Sequence, residues 1–203
     1  LSRMKNNNNN NDDVRIQENF LPEKDFIALR DIVTNSQFPW FFNPVQVYAD
    51  EDKSLNPGKF GHLIYEGNVP YTQFYDHHLP IIHKLKAAIL MRIKINLNLR
   101  LSEPFYSPFH IDLLLRRPPS WSSPEPLLSS SSPSGFSPPL EFITTSTFYI
   151  NTNNGYTEFE DGTKVESVAN RLVTFPAKTK HRGVTQTDTQ TRIVLNFNYV
   201  EAS

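Results

Sequence analysis

The sequence contains no cysteine, only seven glycines and no long apolar run. Without cysteine the chain can form neither disulfides nor thiolate metal sites, so any metal would have to be held by histidines and carboxylates. Lys and Arg number 20 against 21 Asp and Glu, which gives a formal net charge of −1. Because such a chain has no overall basic field, we expect no nucleic-acid partner.

The sequence predicts neither a membrane span nor a signal peptide. No stretch reaches the roughly 20 apolar residues of a membrane-spanning helix, and residues 1–14 have no apolar centre of the kind found in signal peptides. We therefore expect a soluble, cytoplasmic protein with no membrane partner. The 203 residues, 38% of them hydrophobic, can bury one core, which predicts a single domain over residues 15–200.

Two segments have low-complexity composition. The asparagine run Asn6–Asn11 predicts a flexible polar tail over residues 1–14. From Pro118 to Pro139, 16 of 22 residues are serine or proline, a composition that suits neither a central strand nor a packed helix. We interpret residues 114–142 as an extended or disordered insertion, with a flap over a substrate entrance as the functional alternative.

The rest of the chain predicts helices near the N-terminus followed by many short strands. Helical spacing of apolar residues begins near Glu23 and again over residues 80–91. Turn signals such as Asn153–Gly155 separate later apolar runs, and the aromatic cluster Phe38–Phe42 is typical of core packing. The order predicts a mainly β fold with N-terminal helices, a jelly-roll barrel.

Residues 92–101 alternate between apolar and polar side chains, which predicts a strand with two different faces. Its polar face carries Lys94, Asn96 and Asn98. These side chains either meet water or line a hydrophilic cavity, and the sequence alone leaves both readings open.

The stretch Ser107–Asp112 contains a His-x-Asp pair. On a strand His110 and Asp112 would point to the same side, and His181 from a later strand would complete a two-histidine, one-carboxylate set. Such a set holds non-haem Fe(II) and leaves coordination positions open. A core histidine, a capping aspartate and a surface histidine are the structural alternatives.

Arg192 and three further histidines have to be considered as members of this site. Arg192 follows His181 by eleven residues and could lie beside the metal, or form a surface ion pair instead. We expect His77, His78 and His83 to lie at the surface or to cap a helix, because no carboxylate spacing completes a site around them.

The ordered motifs resemble the 2-oxoglutarate/Fe(II)-dependent dioxygenases, closest to the prolyl-4-hydroxylase-like branch, whose compact versions occur in phage and marine bacterial genomes. The motifs that carry the resemblance are His110-x-Asp112, Phe148–Asn151, Gly155, Arg171–Pro176, His181–Val184 and Arg192. The likeness extends from about Asn19 to Tyr199, without the Ser/Pro-rich segment. It implies a double-stranded β-helix of the cupin-like kind.

The resemblance also implies a reaction and its residues. His110, Asp112 and His181 would bind Fe(II), Arg192 would bind the distal carboxylate of 2-oxoglutarate, and Tyr149 would donate its phenol to that carboxylate. The expected reaction couples O2 and decarboxylation of 2-oxoglutarate to hydroxylation of an unactivated C–H bond, with ascorbate as an optional further cofactor. The substrate would be a prolyl or other peptidyl residue, or a small molecule. The alternative is a non-catalytic jelly-roll binding or structural module.

Overall fold

The computed structural model of this chain describes residues 14–44, 56–112 and 138–202. The predicted polar tail at residues 1–14, apart from Val14, lies outside these residues, as does the predicted insertion up to residue 137. In order, the elements are β1 (Arg15–Gln17), α1 (Glu23–Val33), β2 (Phe41–Asn43), β3 (Lys59–Glu66), β4 (Val69–Pro70), α2 (Leu79–Leu85), β5 (Ala87–Leu99), β6 (Thr144–Tyr149), β7 (Tyr156–Phe159), β8 (Lys164–Glu166), β9 (Leu172–Pro176), β10 (His181–Val184) and β11 (Thr191–Glu201).

The strands form two antiparallel sheets. The large sheet has the order β1-β9-β6-β11-β5-β3-β2, with β4 paired to β3, and the small sheet has the order β10-β7-β8. This arrangement confirms the prediction of a mainly β protein with few helices, and it agrees with a double-stranded β-helix. None of the helices in the described part of the chain is long and apolar enough to cross a membrane.

The large sheet packs a different core on each face. On one face, apolar side chains of β5 and β11 such as Ile95 and Leu195 pack against helix residues such as Leu29 and Ile81. On the other face, a smaller cluster joins the large sheet to the small sheet. Its buried members are Tyr149, Phe159, Val165, Val173, Phe175 and Val194. The two sheets therefore face each other, and the space between them is where a site can lie.

The second helix is shorter than predicted. Helical spacing predicted a helix over residues 80–91, but α2 ends at Leu85 and Lys86 adopts a left-handed conformation with φ of 54°. The chain then enters β5 at Ala87, where it pairs with β11. A short apolar run such as Ala87–Leu90 fits both the helical and the strand periodicity, and the pairing of β5 with β11 decides that it forms a strand.

The segment that carries the His-x-Asp pair is not a regular strand, so that prediction was wrong. Residues 105–112 contact β10 through two isolated bridges, Tyr106 with Val184 and His110 with His181. Pro108 lies between these bridges and has no N–H to donate to a ladder. The strand predicted over residues 92–101 is present as part of β5, and β6 precedes the predicted turn at Asn153–Gly155.

Candidate metal centre

Short backbone contacts hold the His-x-Asp segment to β10. The amide of His110 donates to the carbonyl of His181 at 2.9 Å, and the amide of His181 returns a bond to His110 at 3.0 Å. Three residues before His110, the hydroxyl of Ser107 donates to the carbonyl of Gly183 at 3.1 Å and accepts from the amide of Gly183 at 3.2 Å. Because the two histidines are bridged directly, their side chains leave the backbone side by side.

The three predicted ligands converge. Asp112 Oδ1 lies 3.6 Å from His110 Nε2 and 3.7 Å from His181 Nε2. One ligand atom from each residue lies within 4.8 Å of the others, and this is the single cluster of its kind among the described residues. The two contacts to Asp112 are longer than hydrogen bonds, and they suit atoms that share an ion with bonds of about 2.1 Å each.

Backbone carbonyls fix the orientation of both imidazoles. His110 Nδ1 lies 3.0 Å from the carbonyl of Pro108, and His181 Nδ1 lies 3.1 Å from the carbonyl of Thr179. A carbonyl can only accept, so each Nδ1 carries the proton and each Nε2 presents a lone pair. Metal-binding histidines are typically oriented by such a bond on the opposite nitrogen.

The carboxylate of Asp112 is buried and ionised. Burial acts to raise its pKa, but the imidazoles of His110 and His181 outweigh that effect and hold the pKa well below its usual value. Burial acts to lower the pKa of His181, and the neighbouring carboxylate more than compensates, so this pKa is raised. Asp112 Oδ2 is buried and has no hydrogen-bond partner among the described residues. A divalent cation would satisfy this orphaned oxygen and both free Nε2 atoms, so the donor set fits a metal.

Arg192 lies in the same interior, on β11, and is only 3% exposed. Its Nε donates to Ser167 Oγ at 2.7 Å and its Nη2 donates to Thr157 Oγ1 at 3.5 Å. No described carboxylate forms an ion pair with it, and burial lowers its pKa. A buried guanidinium that has only hydroxyl partners is costly in a stable fold, and it is suited to a ligand carboxylate.

Gly155 and Tyr149 pack closely against the Arg192 side chain. A Cβ on Gly155 would lie 2.7 Å from Arg192 Cδ, so a larger residue there would displace the guanidinium. Tyr149 is fully buried, and its phenol donates to Thr157 Oγ1 at 2.7 Å, with the Arg192 guanidinium 5.7 Å from the ring centroid. Burial raises the pKa of Tyr149. Tyr149 thus contacts the hydroxyl that contacts Arg192.

A polar cavity connects these groups. Its wall is formed by side chains of both sheets: Lys59, Asn96, Asn98, Ser107, His110, Thr147, Thr157, His181, Gly183, Arg192, Val194 and Asn196. Asn96 and Asn98 are 5% and 7% exposed, and the Oδ1 atom of each is buried with no partner. The sequence left open whether the polar face of β5 meets water or lines a cavity, and the structure shows that Asn96 and Asn98 line the cavity.

On the outer side of the small sheet, Arg182 reinforces the segment that carries His110. Its guanidinium stacks over the rings of Tyr106 and Phe109 at 5.0 and 4.4 Å and binds Glu158 through two contacts of 2.6 and 2.7 Å. Arg182 follows His181 directly and Phe109 precedes His110. The stack therefore ties together the backbone positions that present the two histidines.

The three histidines near α2, which are His77, His78 and His83, form no metal site with the other described residues. His77 and His83 are exposed, as expected, but His78 is fully buried, so the surface prediction was wrong for this residue. His78 precedes α2, and its Nδ1 lies 2.9 Å from the carbonyl of Phe74 instead of capping the helix. Burial lowers its pKa to about 4. In the aromatic cluster Phe38 is buried, as a core role predicts, whereas Phe41 and Phe42 are exposed, so the core prediction was wrong for these two residues.

The sequence reasoning missed three residues that line or support the site: Lys59, Thr157 and Ser167. Thr157 on β7 and Ser167 directly after β8 both accept hydrogen bonds from Arg192, and no motif marks either position. Lys59 opens β3 and enters the cavity from a different side of the large sheet.

Comparisons with known proteins agree on the architecture. No family model and no curated protein matches the chain. Among solved structures, a prolyl-4-hydroxylase from Pseudomonas putida is similar, with a TM-score of 0.55 and 15% identity over 94% of this chain and 93% of that one. A prolyl hydroxylase from Trichoplax adhaerens, solved with a hypoxia inducible factor peptide, gives a TM-score of 0.56 and 13% identity over 93% of this chain and 83% of its own.

A third similar structure performs a different reaction. SnoN, a non-haem α-ketoglutarate-dependent epimerase from nogalamycin biosynthesis, gives a TM-score of 0.53 and 9% identity over 94% of this chain and 79% of its own. At these identities the comparisons establish the fold and leave the chemistry to the site. Across most of its length the chain is structurally similar to prolyl-4-hydroxylases and related oxygenases, and it carries a His-x-Asp…His set in a ligand arrangement.

Proposed function

We propose that this chain is a 2-oxoglutarate- and Fe(II)-dependent oxygenase, and that residues 15–200 form its single domain. One observation carries the proposal. The Nε2 atoms of two imidazoles and a buried carboxylate converge at one point, and a buried guanidinium with no acidic partner among the described residues lines the same cavity. Each of these features costs stability unless a ligand compensates for it. Together they match a metal ion and a dicarboxylate.

In the proposal, His110, Asp112 and His181 hold Fe(II). The bound metal supplies activation of O2, with oxidative decarboxylation of 2-oxoglutarate to succinate and CO2 as one oxygen atom enters the substrate C–H bond and the other enters succinate. The chain's own contribution is to hold the ligands in place. The carbonyls of Pro108 and Thr179 keep the proton on each Nδ1, so both Nε2 atoms face the metal.

Arg192 binds the distal carboxylate of the cosubstrate. Its fork can make two hydrogen bonds to a carboxylate, and Ser167 and Thr157 orient that fork. Tyr149 orients Thr157 through its phenol, and for Tyr149 to bind the cosubstrate itself this phenol would have to leave Thr157. Burial of these groups excludes water, which strengthens each charged contact.

The substrate is a molecule with an unactivated C–H bond. The similar structures include hydroxylases of prolyl residues and an epimerase of an antibiotic pathway, so the architecture accepts more than one reaction. A prolyl or other peptidyl residue is the first class to assay, with ascorbate present to keep the iron reduced. Release of succinate that a substrate stimulates would identify it.

An anaerobic titration tests the proposal. Fe(II) and 2-oxoglutarate added together should produce a visible charge-transfer band in the wild-type protein, and neither component alone should produce it. The His110→Ala variant should lose the band because one ligand is gone, whereas His83→Ala should keep it, since His83 is exposed and remote. A folded, iron-loaded wild type that shows no band would replace the proposal with a non-catalytic jelly-roll binding module.

A further inference from the structure

The polar face of the large sheet continues beyond Arg192 towards the edge of the sheet. Paired residues on neighbouring strands share a face, and Asn98 pairs with Arg192 while Asn96 pairs with Val194 on β11 and with Gly61 on β3. Lys94 and Lys59 lie two residues from Asn96 and Gly61 along their strands, so both belong to this face. Two lysines therefore lie on the cavity side of the sheet.

Gly61 lets the Lys94 side chain approach the strand that carries Lys59. A Cβ placed on Gly61 would lie 3.3 Å from Lys94 Cε, so the end of the Lys94 side chain extends over this glycine. Lys59 itself lines the cavity together with His110, His181 and Arg192. The two ammonium charges lie close enough to act on each other, since Lys94 is one of the charges that lower the pKa of Lys59.

Neither lysine has an anionic partner in the part of the chain that the structure describes. Among the described residues, no carboxylate lies within ion-pair distance of either ammonium group, although the chain has other lysines that are paired in this way. Burial and the positive charges of Lys94, Arg92 and Arg192 lower the pKa of Lys59 to about 7, against the opposing effect of Asp112. Burial and Arg92 lower the pKa of Lys94 as well. The lowered pKa values mean that the charged form of each lysine is disfavoured as long as no anion binds beside it.

The remaining charges of the cavity are already matched. Arg92 contacts Glu66 at 3.5 Å and donates to the carbonyl of Asp112 at 3.3 Å. In the proposed function Asp112 binds the metal, and Arg192 binds the distal carboxylate of the cosubstrate, whose other end is at the metal. The positive charge of the two lysines remains without a partner in that account.

Two buried acceptors stand beside the lysines. The Oδ1 atoms of Asn96 and Asn98 have no partner, and both side chains are more than nine-tenths buried in the cavity wall. A buried carbonyl oxygen without a donor costs about 1–3 kcal/mol, so a ligand that supplies an N–H or O–H group would relieve this cost. The wall thus offers cations for an anion and acceptors for a donor.

We propose that Lys59 and Lys94 form an anion-binding subsite for the substrate, which is a small carboxylate that also carries an N–H or O–H donor for Asn96 and Asn98. The carboxylate binds the two ammonium groups over Gly61. The inference rests on the proposed function in taking this ligand to be the substrate. It narrows the search from peptides in general to amino acids, hydroxy acids and chain-terminal carboxylates.

A titration of matched probes tests the subsite without turnover. The protein is loaded with Zn(II), which does not activate O2, and saturated with 2-oxoglutarate so that Arg192 is engaged. The probes are lactate against lactamide and N-acetylglycine against N-acetylglycinamide, pairs that differ in the carboxylate. The side-chain amide signals of Asn96 and Asn98 report binding by NMR.

We expect each carboxylate to shift these signals and each amide to bind at least tenfold more weakly. Lys59→Met and Lys94→Met should each weaken carboxylate binding about tenfold, and Lys24→Met should not, because Lys24 is exposed on α1, which packs against the opposite face of the large sheet. Unchanged carboxylate binding in the Lys59→Met, Lys94→Met double variant would overturn the proposal. Equal binding of acids and amides, or no binding of either, would also overturn it.

Two outcomes separate this inference from the proposed function. If Lys59→Met weakens only 2-oxoglutarate binding, the lysine belongs to the cosubstrate site and the subsite is refuted while the oxygenase proposal stands. If Zn(II) and 2-oxoglutarate fail to bind but the carboxylates still bind in a lysine-dependent way, the oxygenase proposal fails and the anion subsite stands. The same titration in metal-free protein supplies the second comparison.

Discussion

The two faces of β5 and β11 are both buried, yet they differ in what burial achieves. Towards the helices lie Ile93, Ile95, Leu195 and Phe197, all at 0% exposure. Towards the cavity, Arg192 is 3% exposed and has no acidic partner among the described residues. The same two strands thus provide an apolar face that packs and a polar face with unmatched groups.

The energetic contrast between these faces separates stability from function. Complete burial of an aliphatic side chain contributes about 1.5–3 kcal/mol to folding. A buried polar atom without a partner costs about 1–3 kcal/mol instead. Residues on the helix face are therefore explained by the fold itself. The cavity face is explained only by ligands, and each prediction below tests one side of this contrast.

The largest effect should come from truncating the apolar face. Ile95→Ala should lower the free energy of unfolding by about 2–5 kcal/mol because it leaves a cavity in the core. Asn96→Ala, one residue further and on the opposite face, should change it by less than about 1 kcal/mol, since it removes an orphaned acceptor. Urea unfolding of both variants measures the difference. Equal losses would mean that the cavity face also stabilises the fold.

A buried histidine on the helix side should make the protein sensitive to acid. Burial lowers the pKa of His78 to about 4 from the usual 6.5, so between these values the unfolded chain binds a proton that the folded chain excludes. Stability should therefore fall as the pH drops from about 6.5, with a loss of about 3 kcal/mol by pH 4 from this group. His78→Asn, which keeps a donor for the carbonyl of Phe74, should reduce that loss.

His83→Asn is the matched control for this pH series, because His83 is exposed on the following helix. The difference between the unfolding midpoints at pH 7 and pH 5 should be smaller in His78→Asn than in wild type. In His83→Asn this difference should equal that of wild type. An identical pH dependence in all three proteins would show that His78 does not control acid stability.

On the cavity face, removal of the unpaired cation should affect binding and spare the fold. Arg192→Gln should weaken 2-oxoglutarate binding about 10- to 100-fold, which corresponds to about 1.4–2.8 kcal/mol. Zn(II) affinity should stay nearly unchanged, and thermal stability should be equal or higher because a buried charge is removed. Arg100→Gln, an exposed change, is the control. Unchanged affinity for 2-oxoglutarate would refute the role of Arg192.

The smallest effect should come from the support of that cation. Ser167→Ala removes the acceptor that lies 2.7 Å from Arg192 Nε, which should weaken 2-oxoglutarate binding by about 1 kcal/mol, or roughly fivefold. Calorimetric titration of the Zn(II)-loaded variant measures this change, with exposed Ser102→Ala as control. A Ser167→Ala loss as large as that of Arg192→Gln would mean that Ser167 contacts the cosubstrate itself.

The sequence predicted the elements whose pattern depends on local periodicity. The alternation of apolar and polar residues in β5 was visible because one face packs on helices, and the His-x-Asp…His pattern predicted the three residues that converge. Asn151 to Pro176 likewise read correctly as short strands separated by turns.

Features decided by distant contacts could not be predicted. The end of α2 at Lys86 depends on pairing of β5 with β11, and the irregular segment around Pro108 is held by bridges to β10 rather than by its own pattern. Lys59 looked like an ordinary surface lysine at the start of a strand. Its place in the cavity follows from the position of β3 in the sheet, which no local signal specifies.

The central claim is that His110, Asp112 and His181 bind one divalent ion beside the cavity that contains Arg192. A crystal grown with Mn(II) and 2-oxoglutarate tests this claim most directly, because anomalous scattering locates the ion independently of any assay. The account predicts one strong peak within bonding distance of both Nε2 atoms and the Asp112 carboxylate. An ion bound elsewhere, with these three side chains free of metal, would contradict it.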